Sequence, residues 1–159
     1  MRIMSDLLIR PFERDDQESA RNLILAGLGD HFGELDPTFN PDLEDIWQNY
    51  IAPGDCFMVV LDGKRIVGTG ALIREATETG RIVRMSVSAE KRRQGIGRLL
   101  VGELLANGIK RGYSRIVVET NDDWHGAIQL YQTCGFRPYD QRNGEIHMQL
   151  VLGEQWSHV

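Results

Sequence analysis

Residues 90–100 read EKRRQGIGRLL. Two glycines, Gly95 and Gly97, stand one residue apart where an amphipathic helix begins, and Arg92, Arg93 and Arg98 surround them. Glycine in a helix costs roughly 0.5–1 kcal/mol relative to alanine, so a pair at this place needs a physical reason. A helix start exposes unpaired N–H groups and about half a positive charge. A phosphate placed there satisfies both. The glycines remove Cβ atoms that would block a close backbone approach, and the arginines add charge-assisted hydrogen bonds. The unit RMSVS-AEKRRQGIG-RLLVGELL therefore predicts an anion site between a strand and a helix. A dinucleotide fingerprint would need a third glycine where Leu100 stands, and a P-loop would end in Gly-Lys-Ser or Gly-Lys-Thr, which is absent. A surface turn with a solvated basic run is the alternative on local grounds.

Outward from this unit, the helix is expected over Gly97–Lys110, with Leu100, Val101, Leu104, Leu105 and Ile109 as its apolar face and Gly112 as its stop. Upstream, RIVRMSVS (81–88) reads as a strand. CFMVVL (56–61) and RIVGTGALI (65–73) read as two more, joined at the hairpin signal Asp62-Gly63. Downstream, RIVVET (115–120) is apolar enough for a central strand. A helix is expected over Trp124–Cys134, capped by Asp122 or Asp123 and ended by Gly135, and FRPY and IHMQLVL (146–152) close the sheet. Near the N-terminus the pattern predicts a strand over Leu7–Arg10, a helix over Asp15–Ala26 stopped by Gly27 and Gly29, a polar loop, and a helix over Pro41–Tyr50. The order βα(α)βββαβαββ implies an α/β or α+β sandwich, a mixed sheet with helices on both faces. A single domain over 1–153 is expected, followed by a tail, 154–159, anchored only by Trp156.

The totals agree. The 159 residues suit one well-cored domain, and no apolar run approaches the roughly 18 residues of a membrane span. The N-terminal stretch lacks the long apolar core of a signal peptide, so a cytoplasmic protein without a membrane partner is expected. A net charge of −5 argues against non-specific nucleic-acid binding, although one local basic pocket for an anionic cofactor is compatible with it. Cys56 and Cys134 have no metal-ligand spacing and read as reduced, buried thiols.

A second motif sharpens the reading. AIQLYQTCGF, Ala127 to Phe136, carries A-x-x-L-Y-x-x-x-G-F after the strand that follows the glycine helix. With Arg92, Gly95 and Gly97 as Arg-x-x-Gly-x-Gly, and the opening IRPFERDDQES, the chain resembles the GNAT superfamily of N-acetyltransferases over nearly its whole length. The resemblance implies a mostly antiparallel mixed sheet with a central, splayed parallel pair, RIVRMSV and RIVVET. It implies acetyl-CoA as cosubstrate and no metal. Backbone groups near Met85 to Val87 would pair with the pantetheine arm. The amides from about Arg93 through Gln94, Gly95, Ile96 and Gly97 to Arg98, with Arg92 beside them, would hold the pyrophosphate. Tyr131 matches the tyrosine that lies near the thioester sulfur in many members, where a phenol can protonate a departing thiolate. The family's asparagine three residues before the motif alanine is replaced by Trp124, which would pack on the cofactor or staple the helix to the core.

The attacking amine must be neutral, and an amine of pKa near 10.4 is only about 0.04% neutral at pH 7, so a base is expected. The strand glutamate used by some members is Arg81 here. Glu119, near the end of RIVVET, is the candidate, with a capping or salt-bridged role as its alternative. His31 in the polar loop is a second candidate. His125, His147 and His158 read as surface or strand-face residues. Glu34, Asp36, Asp42, Glu44 and Asp45 would favour a cationic acceptor or serve as ordinary helix-start carboxylates. A small-molecule amine, a peptide N-terminus and a protein lysine all stay open as acceptors, as does a homodimer. A non-catalytic acyl-CoA sensor or partner-binding module is the rival from another class.

Overall fold

The computed structural model describes residues 6–32 and 39–152, without the side chains of residues 30–32. The expected tail with Trp156, the residues Glu34 and Asp36, and the side chains of His31 and His158 lie outside the described residues. Seven strands form one sheet in the order β1-β2-β3-β4-β5-β7-β6. They are β1 (Leu7–Pro11), β2 (Cys56–Asp62), β3 (Arg65–Ala76), β4 (Thr79–Val87), β5 (Arg115–Asn121), β6 (Arg137–Arg142) and β7 (Glu145–Val151). Among the described residues, three helices, α1 (Gln17–Phe32), α2 (Ile96–Lys110) and α3 (His125–Thr133), complete the regular structure with a few short turns. Every neighbouring pair is antiparallel except β4 with β5. The expected mixed, mostly antiparallel sheet with one parallel pair is thus what the chain forms.

Alternation along the strands divides the core in two. Cys56, Met58 and Val60 of β2 face α2 and α3, packing with Ile96, Leu100, Leu104, Ile116, Val118 and Tyr131. Phe57, Val59 and Leu61 face the other way, against Ala20 and Ile24 of α1 and Leu43, Ile46 and Tyr50. Helices therefore cover both faces.

Two helices differ from the sequence reading. α1 runs on through Gly27 and Gly29 rather than ending at Ala26. A Cβ on Gly27 would lie 3.1 Å from Ser86 Oγ, so this glycine lets the helix cross β4 closely and does not stop it. The helix expected over Pro41–Tyr50 is two separate turns, a 3-10 turn at Pro41–Glu44 and a π-helical turn at Trp47–Ile51. Asp45 leaves helical geometry between them, and its carboxylate accepts a hydrogen bond from the Gln48 N–H at 3.0 Å, capping the second turn. Gln17 of α1 braces this break, donating to the Leu43 carbonyl and accepting from the Ile46 N–H.

The hairpins obey local chemistry. β2 and β3 pair through Asp62 and Arg65, so the two-residue loop is Gly63-Lys64. β6 and β7 turn at Asn143-Gly144, both with positive φ (53° and 76°), as a type I′ hairpin needs.

β4 positions the site. Thr69 pairs with Ser86 and Ala71 with Val83, so two residues of β4, Arg84 and Met85, oppose the single Gly70. This bulge puts Arg84 at φ 57°, and its carbonyl accepts from the buried Thr69 hydroxyl at 2.8 Å. A Cβ on Gly70 would stand 2.7 Å from Met85 Sδ, so the missing side chain is the space Met85 fills.

Candidate active site

β4 and β5 pair only through Thr79–Arg115, Gly80–Ile116 and Arg81–Val117. Past Arg81 their pairing ends, while β5 stays paired with β7 from Arg115 to Asn121. A gap therefore opens beside β4 from Ile82 to Val87, its rim set by the bulge. Met85 and Val87, expected to meet a pantetheine arm, are half-buried along it.

At the end of β4, the backbone N–H of Ser88 donates to the Val67 carbonyl and the chain turns towards α2. Arg93 and Gly95 both take positive φ, 66° and 89°. Gly95 is the N-cap, and its carbonyl accepts from the Leu99 N–H at 3.0 Å. Helix geometry leaves the amides of Ile96, Gly97 and Arg98 without intrahelical acceptors. Arg92, Arg93 and Arg98 are exposed, and Arg92 Nε donates to the Val87 carbonyl at 3.3 Å, tying the loop to the strand. Gln94 Oε1 and Ser88 Oγ are buried without a hydrogen-bond partner. Ile96 is wholly inside the core. Gly97 has a packing role as well, because a Cβ there would meet Leu130 Cδ2 of α3 at 3.0 Å.

On the α1 side of the gap lies an open cleft of about 380 Å³, lined by Asp42, Tyr50, Ile73, Arg81, Arg84 and Glu119 among others. Glu119 is the most exposed residue of its part of β5 and sits between two cationic or protonatable groups. Arg81 Nη1 reaches its Oε1 at 2.7 Å, and His147 Nδ1 lies 3.0 Å from its Oε2. Arg81 also forks onto Glu75, at 2.8 and 2.9 Å, which holds the Glu75 carboxyl below the usual range. Of the two sequence alternatives for Glu119, the salt-bridged carboxylate is present, at the edge of the cleft.

Of the acidic stretch expected to attract a cation, the described residues Asp42, Glu44 and Asp45 are engaged already. Arg84 grips Asp42 through Nη2 at 2.7 Å and Nε at 3.0 Å, and Tyr50 donates to it at 2.6 Å. Burial works to raise the Asp42 pKa, but these hydrogen bonds outweigh it and leave the carboxyl below its ordinary value. Burial and then Asp42 push the Tyr50 phenol up to about 12. Glu44 pairs with Arg21 at 3.3 Å, and Asp45 caps a turn.

Tyr131 comes from α3 on the opposite face. It is 4% exposed and packs edge-on against Phe136 at 5.7 Å. Burial raises its pKa well above that of a free phenol, so the hydroxyl keeps its proton. Trp124, half-buried, is the N-cap residue of α3, and its carbonyl accepts from the Ile128 N–H at 3.1 Å. His125 is exposed, as expected. Sequence reading missed Arg81, Arg84 and Tyr50 as cleft residues and read His147 as a plain strand-face residue. His147 is 6% exposed and directly opposite Glu119 in the β5–β7 register. The alternation of IHMQLV could place it on a face, but only the strand register supplies its partner.

Among the described residues, no helix is long and apolar enough to cross a membrane. In comparisons with known proteins, the profile of the acetyltransferase (GNAT) family matches residues 14–136. N-acetyltransferase 8 of Rattus norvegicus is 36% identical over 116 residues, covering 69% of this chain and 50% of that protein. The chain thus spans about half the length of the curated relatives it matches. Among solved structures, a GNAT-family acetyltransferase from Staphylococcus aureus superposes with a TM-score of 0.83 at 24% identity, covering 92% of this chain and 99% of that one. The PaiA N-acetyltransferase of Thermoplasma acidophilum, solved in complex with coenzyme A, gives 0.79 at 15% identity over 91% and 98%. The splayed parallel pair, the glycine-capped α2 and a profile match across most of the chain agree: this chain belongs to the acetyltransferase (GNAT) family.

Proposed function

We propose that the chain is an N-acetyltransferase that moves the acetyl group of acetyl-CoA to a primary amine by direct attack in a ternary complex. The observation that carries this reading is the end of β4–β5 pairing at Arg81–Val117, which opens the sheet between its two faces. Two features of the chain suit the CoA moiety. Unpaired buried oxygens on Ser88 and Gln94 flank a loop whose left-handed residues precede free helix amides. The open edge of β4 offers backbone groups along Met85 to Val87. The coenzyme A complex of the PaiA neighbour adds support.

In this reading, the amides of Arg93 to Arg98 hold the pyrophosphate, with Arg92 beside them, and Trp124 flanks the arm. When bound, acetyl-CoA supplies the acetyl group as an activated thioester. Glu119 lies on the α1 face and Tyr131 on the α2–α3 face, so base and acid meet only through the gap. Glu119 takes the proton from the incoming ammonium, and Tyr131 keeps a proton for the leaving sulfur. Holding amine and thioester together supplies much of the acceleration. A single catalytic domain over 1–153 in a reducing, cytoplasmic setting, which the free Cys56 and Cys134 suit, is part of the same proposal.

Arg81 holding Glu119 favours a second reading, an acyl-CoA sensor whose carboxylate is only structural. Calorimetry with acetyl-CoA and a thiol-release assay over small amines, lysine peptides and peptide N-termini separate the two. The enzyme reading predicts binding that Gly95→Trp abolishes and CoA release with at least one acceptor class. Binding without release from any amine supports the sensor, and unaltered binding to Gly95→Trp contradicts the placement of the phosphates.

A further inference from the structure

The imidazole of His147 is enclosed, yet it touches two carboxylates at opposite ends. Nδ1 lies 3.0 Å from Glu119 Oε2, and Nε2 lies 3.6 Å from Glu145 Oε1. Nε2 is buried and has no hydrogen-bond partner. The Glu145 side chain is 43% exposed, so this row of groups on β5 and β7 runs from the cleft to solvent. Tyr139 of β6 meets the imidazole edge-on at 6.2 Å and carries the Arg115 guanidinium of β5 over its ring at 5.0 Å, and Asp140, the register partner of His147, is engaged by Arg142. Arg81 of β4 holds the other oxygen of Glu119 at 2.7 Å.

The three ligand-type groups also lie close enough together to suggest a metal centre. Their orientation argues otherwise. The carboxylates address different ring nitrogens, whereas one ion would draw both towards a single nitrogen. Arg81 already neutralises the Glu119 oxygen that does not face His147. An imidazole whose Nδ1 meets a cleft carboxylate at 3.0 Å is arranged to hold that carboxylate in place.

We propose that His147 is the positioning residue behind Glu119, a role that rests on the reading of Glu119 as the base. Its Nδ1–H donates to Glu119 Oε2 while Arg81 holds Oε1, so the carboxylate is fixed from both sides at the edge of the cleft. The ammonium N–H bond breaks, leaving its electron pair on the amine nitrogen, and the proton goes to Glu119, from which it returns to water through the open cleft. No oxidant or further reactant is consumed.

The test is the pH dependence of kcat and kcat/KM for the full chain and for His147→Gln, with the best amine of the panel. The proposal predicts a kcat about tenfold to a hundredfold lower near pH 7, an unchanged KM for acetyl-CoA, and a loss that shrinks at high pH as free amine becomes abundant. A loss by the same factor at every pH, or no loss, overturns it. Should His147→Gln not fold, or should no amine be acetylated, titration of the ¹⁵N-labelled His147 ring in wild type and Glu119→Gln decides the wiring independently of turnover. A midpoint that falls by about 0.5 pH unit or more in Glu119→Gln supports His147 holding the carboxylate, and an unmoved midpoint overturns it.

Discussion

The two faces of the sheet are held by different chemistry. On the α2–α3 side, bulky side chains fill places left by glycines. A Cβ on Gly68 would lie 2.9 Å from Ile96 Cγ2, one on Gly70 2.7 Å from Met85 Sδ, and one on Gly97 3.0 Å from Leu130 Cδ2. On the α1 side, arginines meet carboxylates: Arg10 with Asp16, Arg21 with Glu44, Arg84 with Asp42, and Arg81 with Glu75 and Glu119. The first face is set by shape, and the second by charge partners brought together from distant parts of the chain. A cosubstrate arm needs a fixed groove, and an amine acceptor needs a polar approach, so the contrast suits the two jobs proposed for the gap.

The sharpest way to break this contrast is on the charged face. Glu119→Gln is expected to lower kcat by about 10²–10⁴-fold while leaving acetyl-CoA affinity by calorimetry unchanged. Unchanged turnover would make the charged face purely structural. On the shape-fitted face, Gly70→Val should destabilise by about 1–3 kcal/mol through overpacking against Met85 and Leu104. In thermal unfolding, that corresponds to a melting temperature lower by roughly 2–4 °C per kcal/mol.

Asp42→Asn removes the anion that Arg84 and Tyr50 share, and should cost about 1–3 kcal/mol in denaturant unfolding near neutral pH. The pH dependence has a fixed sign. The Asp42 carboxyl sits below its ordinary value near 3.8, so its contribution is present above that value and is lost as pH falls through the folded one. The variant should therefore converge on wild type in acid. The smallest effect sharpens the comparison: Gly102 of α2 has nothing within 4 Å of a built Cβ, so Gly102→Ala should stabilise by about 0.5–1 kcal/mol.

The same contrast explains what could be read from the chain alone. Arg-x-x-Gly-x-Gly and Leu-Tyr…Gly-Phe are local patterns on the shape-fitted side, so α2, α3 and the splayed pair were legible. The end of α1 was not, because the role of Gly27 depends on Ser86, far away in sequence. The break at Asp45 was hidden for a similar reason, since Gln17 supports it from α1. On the charged face, Glu119 was visible as a carboxylate at a strand end. Its partners were not, because Arg81 meets it across the parallel pair and His147 across the antiparallel one. Arg84 reaches Asp42 over 42 residues from a strained bulge that no strand pattern announces.

The central claim is that the gap past Arg81, opening onto the start of α2, takes a CoA thioester. A crystal structure of the full chain grown with coenzyme A tests it most directly. The expected result is pyrophosphate oxygens on the amides of Arg93 to Arg98, with the pantetheine arm along Met85 to Val87. Coenzyme A bound elsewhere, or that gap closed by the chain itself, would contradict it.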